Sequence, residues 1–244
     1  MKPAIVMEAI TKRYGKGDKA VDALRGVNMT VYPGEVIGLI GASGSGKTTL
    51  LQCLGAIIDP TSGRIELGGN VIFNNGWLID DIRTLRRDKI GFMFQAPYLI
   101  PFLTNIENVA MPLLLAGQPY EKARQRALEL LTTLDIADKS DFKAYQLSGG
   151  QAQRVSIARA LANNPPVILA DEPTAPLDSQ RSLSVINLLN ELAKQYDTAI
   201  IVVTHDEVII PIFKRIYRIR NGLVFEEKRE IRDKGTGYLS QISS

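Results

Sequence analysis

The densest chemistry in the chain is a run of small residues ending in a lysine and two hydroxyls: Gly41, Ala42, Ser43, Gly44, Ser45, Gly46, Lys47, Thr48 and Thr49. The spacing G-x-x-x-x-G-K-[ST] is the P-loop pattern, which should arise by chance in roughly one chain in a hundred of this length. Glycines let a backbone wrap close to phosphate with successive N–H groups turned inward as an anion nest. A helix starting near Lys47 would aim its positive dipole end at the same phosphates. Lys47 would then place a point charge between the β- and γ-phosphates, and Thr48 would offer its hydroxyl to Mg²⁺.

Two acids extend the set. The apolar run Val167 to Ala170 ends in Asp171 and Glu172. The carboxyl ends of buried strands are where α/β sheets keep their ligand sites. Asp171 there can hold Mg²⁺ through water, and Glu172 can position and deprotonate an attacking water. His205, the single histidine of the chain, follows the apolar run AIIVVT and is expected at the same edge as a γ-phosphate contact. Alone, two acids opening a loop or one histidine would be ordinary. Beside a P-loop they form a hydrolytic set.

The elements that must position these residues can be read from hydrophobic period and breakers. Ile5 to Ile10, Val27 to Tyr32 and Val36 to Ile40 read as strands, punctuated by Gly15, Gly17, Gly26 and Pro33-Gly34. The P-loop leads into a helix from about Lys47, and Ile65 to Leu67, Val71 to Phe73 and Ile90 to Phe94 are further strands. Ile106 to Leu134 is helical with a break near Gly117–Pro119, and Ala123, Ala127, Leu130, Leu131 and Leu134 share one face of its second half. Helices are expected from about Gln151 to Ala162 and from Leu183 to Gln195, with buried strands at Val167 to Ala170 and Ala199 to Val203. Uninterrupted apolar strands among helices predict a mostly parallel sheet covered on both faces.

Bulk composition narrows the function classes. The chain has 244 residues, 45% of them hydrophobic, enough for a sizeable α/β core. With 23% charged residues and a formal net charge of +3, it carries no basic stripe of the kind nucleic-acid binding requires. The densest basic cluster, Arg83, Arg86, Arg87 and Lys89, reads as a solvated helix face. The lone Cys53, in an apolar run, has no disulfide partner, which fits a reducing cytoplasm, and reads as a buried structural thiol. The N-terminus lacks the features of a signal peptide, and Ile100 to Gly117 is too interrupted by polar residues and prolines to span a bilayer.

Leu147-Ser148-Gly149-Gly150-Gln151, ahead of Asp171, resembles the LSGGQ signature of ABC-type ATPases. Read from the residues, it is a serine N-cap and a glycine turn opening a helix, itself an anion-binding surface. The resemblance runs from about Ile5 to Glu226 with every expected motif in order. It implies an α/β P-loop ATPase fold with a mostly parallel core sheet, an antiparallel β subdomain and a helical signature subdomain at about 96–162. These lie within a nucleotide-binding domain, 1–228, followed by a polar tail, 229–244.

The same resemblance implies ATP and Mg²⁺ as ligands and a head-to-tail dimer of two copies, with two ATP molecules between P-loop and signature. Tyr14 looks like the aromatic that stacks on adenine. Gln95, ending the strand IGFMFQ, looks like the glutamine that senses Mg²⁺, the γ-phosphate and the membrane partner. Ser148, Gly150 and Gln151 resemble the residues that reach ATP held by the other subunit, and Asp178 in APLD the aspartate that links the two sites. Two positions depart from the pattern: Ala152, where glutamine or glutamate is common, and Pro176, which restrains its own φ and Ala175.

The segment IGFMFQAPYLIPFLTNIENVAMPLLLAG is similar to the lipoprotein-releasing, macrolide-exporting and heterocyst-glycolipid-exporting branch. That likeness implies a peripheral subunit at the cytoplasmic face of the inner or plasma membrane, held by a permease with few spans and a large extracytoplasmic domain. Its cargo would be lipidic, lipoprotein or drug-like. An importer cassette is the alternative, although only 22 residues follow Asn221-Gly222, too few for a regulatory domain. A DNA- or ribosome-acting ABC ATPase would carry a long coiled coil or a second cassette. Only about 100 residues separate Lys47 from Ser148, without sustained heptads. A soluble P-loop kinase would have no use for LSGGQ.

Overall fold

The computed structural model describes residues 1–175 and 177–228, so Pro176 and the tail 229–244 lie outside the described residues. Two sheets organise the chain. The first is antiparallel: β1 (Ile5–Tyr14), β2 (Val21–Val31), β4 (Ser62–Leu67) and β5 (Asn70–Asn74), in the order β2-β1-β4-β5. The second contains β3 (Val36–Ile40), β6 (Ile90–Met93), β7 (Val167–Asp171), β8 (Ala199–Thr204), β9 (Arg215–Arg220) and β10 (Leu223–Lys228), in the order β10-β9-β3-β8-β7-β6. Every pairing in it is parallel except that of β9 with β10. This is the mixed α/β architecture, with a parallel core sheet and an antiparallel companion, that the sequence predicts.

Six α-helices are described: α1 (Lys47–Leu54), α2 (Ile82–Lys89), α3 (Asn105–Leu115), α4 (Tyr120–Thr133), α5 (Gly149–Leu161) and α6 (Ser179–Tyr196). Side-chain caps set several of their starts. Thr104 and Glu107 form a capping box on α3, and Ser148 and Gln151 form one on α5. α5 therefore opens at Gly149 instead of Gln151. α6 opens at Ser179, ahead of the expected Leu183, because Asp178 accepts from the Arg181 N–H at 2.9 Å.

The core alternates strictly across the parallel sheet. Val36 and Ile40 of β3, Ile168 and Ala170 of β7, and Ile200 and Val202 of β8 pack with the apolar faces of α3 to α6. Their neighbours Ile37, Leu39, Val167, Leu169, Ile201 and Val203 pack with α1 and the antiparallel sheet. A period of two with both faces apolar explains why these strands read as continuous hydrophobic runs. Each fully buried aliphatic side chain contributes about 1.5–3 kcal/mol, so the sheet that carries the site residues is anchored through both of its faces.

Three expectations need correction. β1 continues past Ile10 to Tyr14, and Gly26 does not end a strand. It sits inside β2 at φ 91° as a bulge, where the pairing steps from Ile10–Val27 to Thr11–Arg25. The basic cluster on α2 is only partly a solvated face: Arg86 donates to the Ala56 carbonyl at 2.7 Å and Arg87 to the Leu115 carbonyl at 3.0 Å. The hairpin β9–β10 was not foreseen. Its turn, Asn221-Gly222, has φ of 49° and 75°, the two-residue geometry that Asn-Gly favours.

Candidate active site

Parallel pairing brings the carboxyl ends of β3, β6, β7 and β8 to one edge. Ile40 pairs with Thr204, Asp171 with Val203, and Met93 with Ala170. The P-loop therefore leaves β3 beside the acids ending β7 and the histidine following β8. Between them lies a cavity of about 540 Å³ lined by Gly41, Ala42, Ser43, Gly44, Gly46, Lys47, Thr48, Thr49, Asp171, Glu172 and His205, with Ala23 and Val203. The structure thus brings together the predicted loop, lysine, hydroxyls, acids and histidine.

Loop geometry depends on its glycines in two ways. Gly46, the N-cap of α1, has φ 111°, and a Cβ there would meet the Ala23 carbonyl at 2.7 Å, so only glycine fits. Gly44 has φ 73°, and a Cβ there would meet nothing within 4 Å. The tight side of the loop is packed on the protein and the other is open to a ligand. The Ser45 hydroxyl is buried without a partner among the described residues, and the Ser45 carbonyl accepts from the Gly222 N–H at 3.1 Å. The unforeseen hairpin thus braces the P-loop from behind. The signal for it was the Asn-Gly pair between apolar alternations.

Lys47 donates to the carbonyls of Gly41 at 2.8 Å and Ala42 at 2.9 Å, which holds its ammonium over the loop. Asp171 is half-buried. Desolvation, then the neighbouring Glu172 charge, raises its carboxyl pKa, and Lys47 opposes the rise. Glu172 has φ 49°, a left-handed conformation rare for a non-glycine residue. Its N–H donates to the Val203 carbonyl at 3.0 Å, and its Oε1 lies 2.9 Å from His205 Nδ1. That pair was not anticipated, because the sequence pointed His205 only at phosphate. His205 is exposed, and its Nδ1–H tautomer is the one that can donate to this carboxylate oxygen.

Other predicted residues lie elsewhere. Gln95 is exposed beyond the end of β6 and does not line the cavity. Tyr14 closes β1, exposed, with Lys12 Nζ 5.1 Å from its ring centroid. Ser148, Gly150, Gln151 and Asp178 are helix-start residues that also lie outside the cavity lining. Ala152 is half-buried on α5. Cys53 is fully buried on α1, and burial pushes its thiol up to about 12.

The residues fit a Mg²⁺–nucleotide. An open anion nest, a lysine and a helix start suit phosphates. Among the described residues no cluster of three or more His, Cys, Asp or Glu could hold a metal alone. Thr48 and Asp171 offer two oxygen donors, which suits Mg²⁺, an ion that completes its shell with water and substrate phosphates.

The model of the family described as "ABC transporter" matches residues 24–175. The chain belongs to the ABC transporter family. This cassette is 42% identical over 224 residues to the macrolide export ATP-binding/permease protein MacB of Rhodopseudomonas palustris, covering 92% of the chain and 34% of that protein. It is 45% identical over 227 residues to the pyoverdine export ATP-binding/permease protein PvdT of Pseudomonas fluorescens, covering 92% and 34%. The cassette thus spans about a third of the length of these relatives. The dimeric ATP-binding cassette MJ0796 of Methanocaldococcus jannaschii, in a post-hydrolysis state bound to ADP and Pi, superposes with a TM-score of 0.78 at 41% identity, covering 93% of this chain and 99% of that one. The chain is an ABC ATPase: it binds and hydrolyses ATP.

Proposed function

We propose that two copies of the chain pair head to tail around two Mg²⁺–ATP and drive a separate membrane permease. One observation carries this reading. The chain has two anion-binding surfaces, the P-loop cavity and the start of α5, and they do not line one pocket. Ser148 and Gly149 are exposed, and a Cβ at Gly149 or Gly150 would meet nothing within 4 Å. The first N–H groups of a helix need partners. A two-fold axis lets the α5 start of each copy supply them to the phosphates in the other copy's P-loop.

In this reading the loop N–H groups and Lys47 hold the β- and γ-phosphates, with Ser43, Gly44, Ser45 and Thr49 shaping the nest. Thr48 and Asp171 would hold Mg²⁺, which when bound would neutralise charge on the phosphate oxygens. Glu172 accepts a proton from the attacking water. His205 orients Glu172 through Nδ1 and offers Nε2 toward the γ-phosphate. Tyr14 stacks on adenine, Gln95 joins the site from β6 as the dimer closes, and Asp178 links the two sites. ATP favours the closed pair because its γ-phosphate touches both copies, and hydrolysis removes that contact.

The likeness to macrolide and pyoverdine export proteins over about a third of their length supports a permease that exports or releases a lipidic, lipoprotein or drug-like cargo. The cassette would then sit peripherally at the cytoplasmic face of the membrane. Among the described residues no helix is long and apolar enough to cross one.

The test is a Glu172→Gln variant mixed with saturating ATP and examined by analytical ultracentrifugation. A dimer that forms with ATP, and is lost on adding Lys47→Ala or Ser148→Arg, is expected. A monomer under those conditions sinks the head-to-tail reading. Capture of the native complex from membranes should bring down a permease with few spans and a large extracytoplasmic domain. Capture of an importer-type permease with a binding protein would overturn the export reading.

A further inference from the structure

We infer that Gln153 is a positioning residue for hydrolysis, tying the signature helix to the loop that carries Glu172. It is 1% exposed, on the inner face of α5, and its Nε2 donates to the carbonyl of Pro173 at 2.9 Å. Pro173 directly follows Glu172 and is itself buried. Gln153 Oε1, the other half of the amide, is buried with no partner among the described residues.

That half-satisfied amide is informative. An unpaired buried acceptor costs at least as much as a typical hydrogen bond returns. The Nε2 bond therefore does not justify Gln153 as a stabilising residue. A methionine of similar shape would remove the orphan oxygen while leaving the Pro173 carbonyl unpaired, a nearly neutral exchange. What the amide does is fix a carbonyl at a strained point of the backbone. Glu172 is left-handed at φ 49° and is held on one side by its own N–H bond to Val203. Gln153 holds the chain on the other side, one residue on, so the Glu172 carboxylate is bracketed between β8 and α5. Strain of this kind persists only where the surroundings over-determine it.

The helix that supplies this latch is the one that opens at Ser148. Gln153 therefore joins the surface proposed to meet the partner copy's nucleotide to the carboxylate of the chain's own site. This inference rests on the assignment of Glu172 as the proton acceptor.

The experiment uses full-length Gln153→Met and Gln153→Leu, each in the wild-type and Glu172→Gln backgrounds, with turnover, KM for ATP and Tm measured on every protein. Gln153→Met is expected to lower kcat about 10- to 100-fold, the range for misplacing a catalytic group by an ångström or less. KM and Tm should stay near the wild-type values. In the Glu172→Gln background the same substitution should change residual turnover less than twofold, because the group being positioned is already gone. Unchanged kcat in both variants, equal losses in both backgrounds, or a loss matched by a fall in Tm would each overturn the inference. If Glu172→Gln alone turns over like wild type, the assignment of Glu172 fails first, which separates the two failures.

Discussion

His205 Nδ1 lies 2.9 Å from Oε1 of Glu172, joining the residue after β8 to the residue after β7 across adjacent parallel strands. The contact turns two separate sequence signals into one unit. The imidazole can hold the carboxylate in one orientation while its other nitrogen stays available to a phosphate oxygen. Substituting Glu172 with Gln should lower kcat at least about 100-fold, the lower end for loss of a general base. His205→Ala should lower it at least about tenfold with nucleotide affinity retained. The double variant should be no slower than Glu172→Gln alone. Single-turnover phosphate release on the four proteins measures this, and independent, multiplying losses would refute the unit.

Asp171 makes a prediction of opposite sign for stability and activity. Burial and the Glu172 charge raise its carboxyl pKa in the folded chain. The folded state then binds this proton more tightly than the unfolded one. Its contribution to stability falls as pH rises from the ordinary aspartate value through the raised one, and at neutral pH the ionised group is a net cost. Asp171→Asn should raise the melting temperature in nucleotide-free, metal-free buffer at pH 7 and shrink that gain at pH 4. It should also abolish Mg²⁺-dependent hydrolysis. A lower melting temperature at pH 7 would contradict the desolvation argument.

These site residues were legible because sequence-local patterns carried them. The loop, the acids and the histidine each sit at the end of an apolar run, and a parallel sheet lines up such ends without further information. What was not legible depends on long-range packing. Nothing near Gln153 in the chain says that its amide meets Pro173. Nothing near Gly26 says that it bulges within a strand instead of ending one, since that is set by the register of β1. The β9–β10 hairpin did leave a local mark, Asn221-Gly222 between alternating residues. The apolar-run criterion passed over it because β9 interleaves arginines with its buried Ile216, Tyr217 and Ile219. Pro176 and the tail 229–244 lie outside the described residues.

Arg215 is one such arginine, and its environment predicts a stability effect. Its guanidinium, side chain 15% exposed, meets Glu35 at 2.6 Å and Glu226 at 3.0 Å, and donates to the Thr30 carbonyl at 3.0 Å. It thereby sews β9 to β10, to the end of β2 and to the residue before β3. Removing one partner of such a partly buried cluster leaves carboxylates without a cation. Arg215→Ala should cost about 3 kcal/mol in urea unfolding at neutral pH, while the double variant with Glu35→Gln should recover part of the loss. A change within about 0.5 kcal/mol, the range of ordinary surface substitutions, would mean the cluster is solvent-screened.

Cys53 tests the burial of α1 without touching the chemistry. Desolvation raises its thiol to about 12, so at pH 8 almost none is thiolate, and the reactive form is the thiolate. The native protein should show no reaction with a disulfide reagent over an hour at pH 8 and one full equivalent after denaturation in guanidinium. Fast labelling of the native chain would show that α1 opens locally, and with it the P-loop.

Arg159 should reveal how the cassette transmits its cycle. The side chain, on the same α5 as Gln153, donates to the Pro97 carbonyl at 2.6 Å and to the Tyr98 carbonyl at 2.8 Å. Those carbonyls belong to the segment just after Gln95. Among the described residues no acidic side chain pairs with the guanidinium, and burial lowers its pKa. Planar donation to two successive carbonyls is a geometry that lysine cannot reproduce. The segment it holds lines an apolar groove of about 460 Å³ that includes Phe94, Tyr98, Met111 and Leu115. A bond that joins α5 to this groove, away from the phosphate cavity, should matter most when a permease is docked. Arg159→Lys is therefore expected to keep the ATPase rate of the isolated cassette within about threefold of wild type while cutting permease-dependent stimulation at least about tenfold. Reconstituted complexes assayed with and without permease separate the two. Equal losses in both preparations would make Arg159 a structural support of α5 alone.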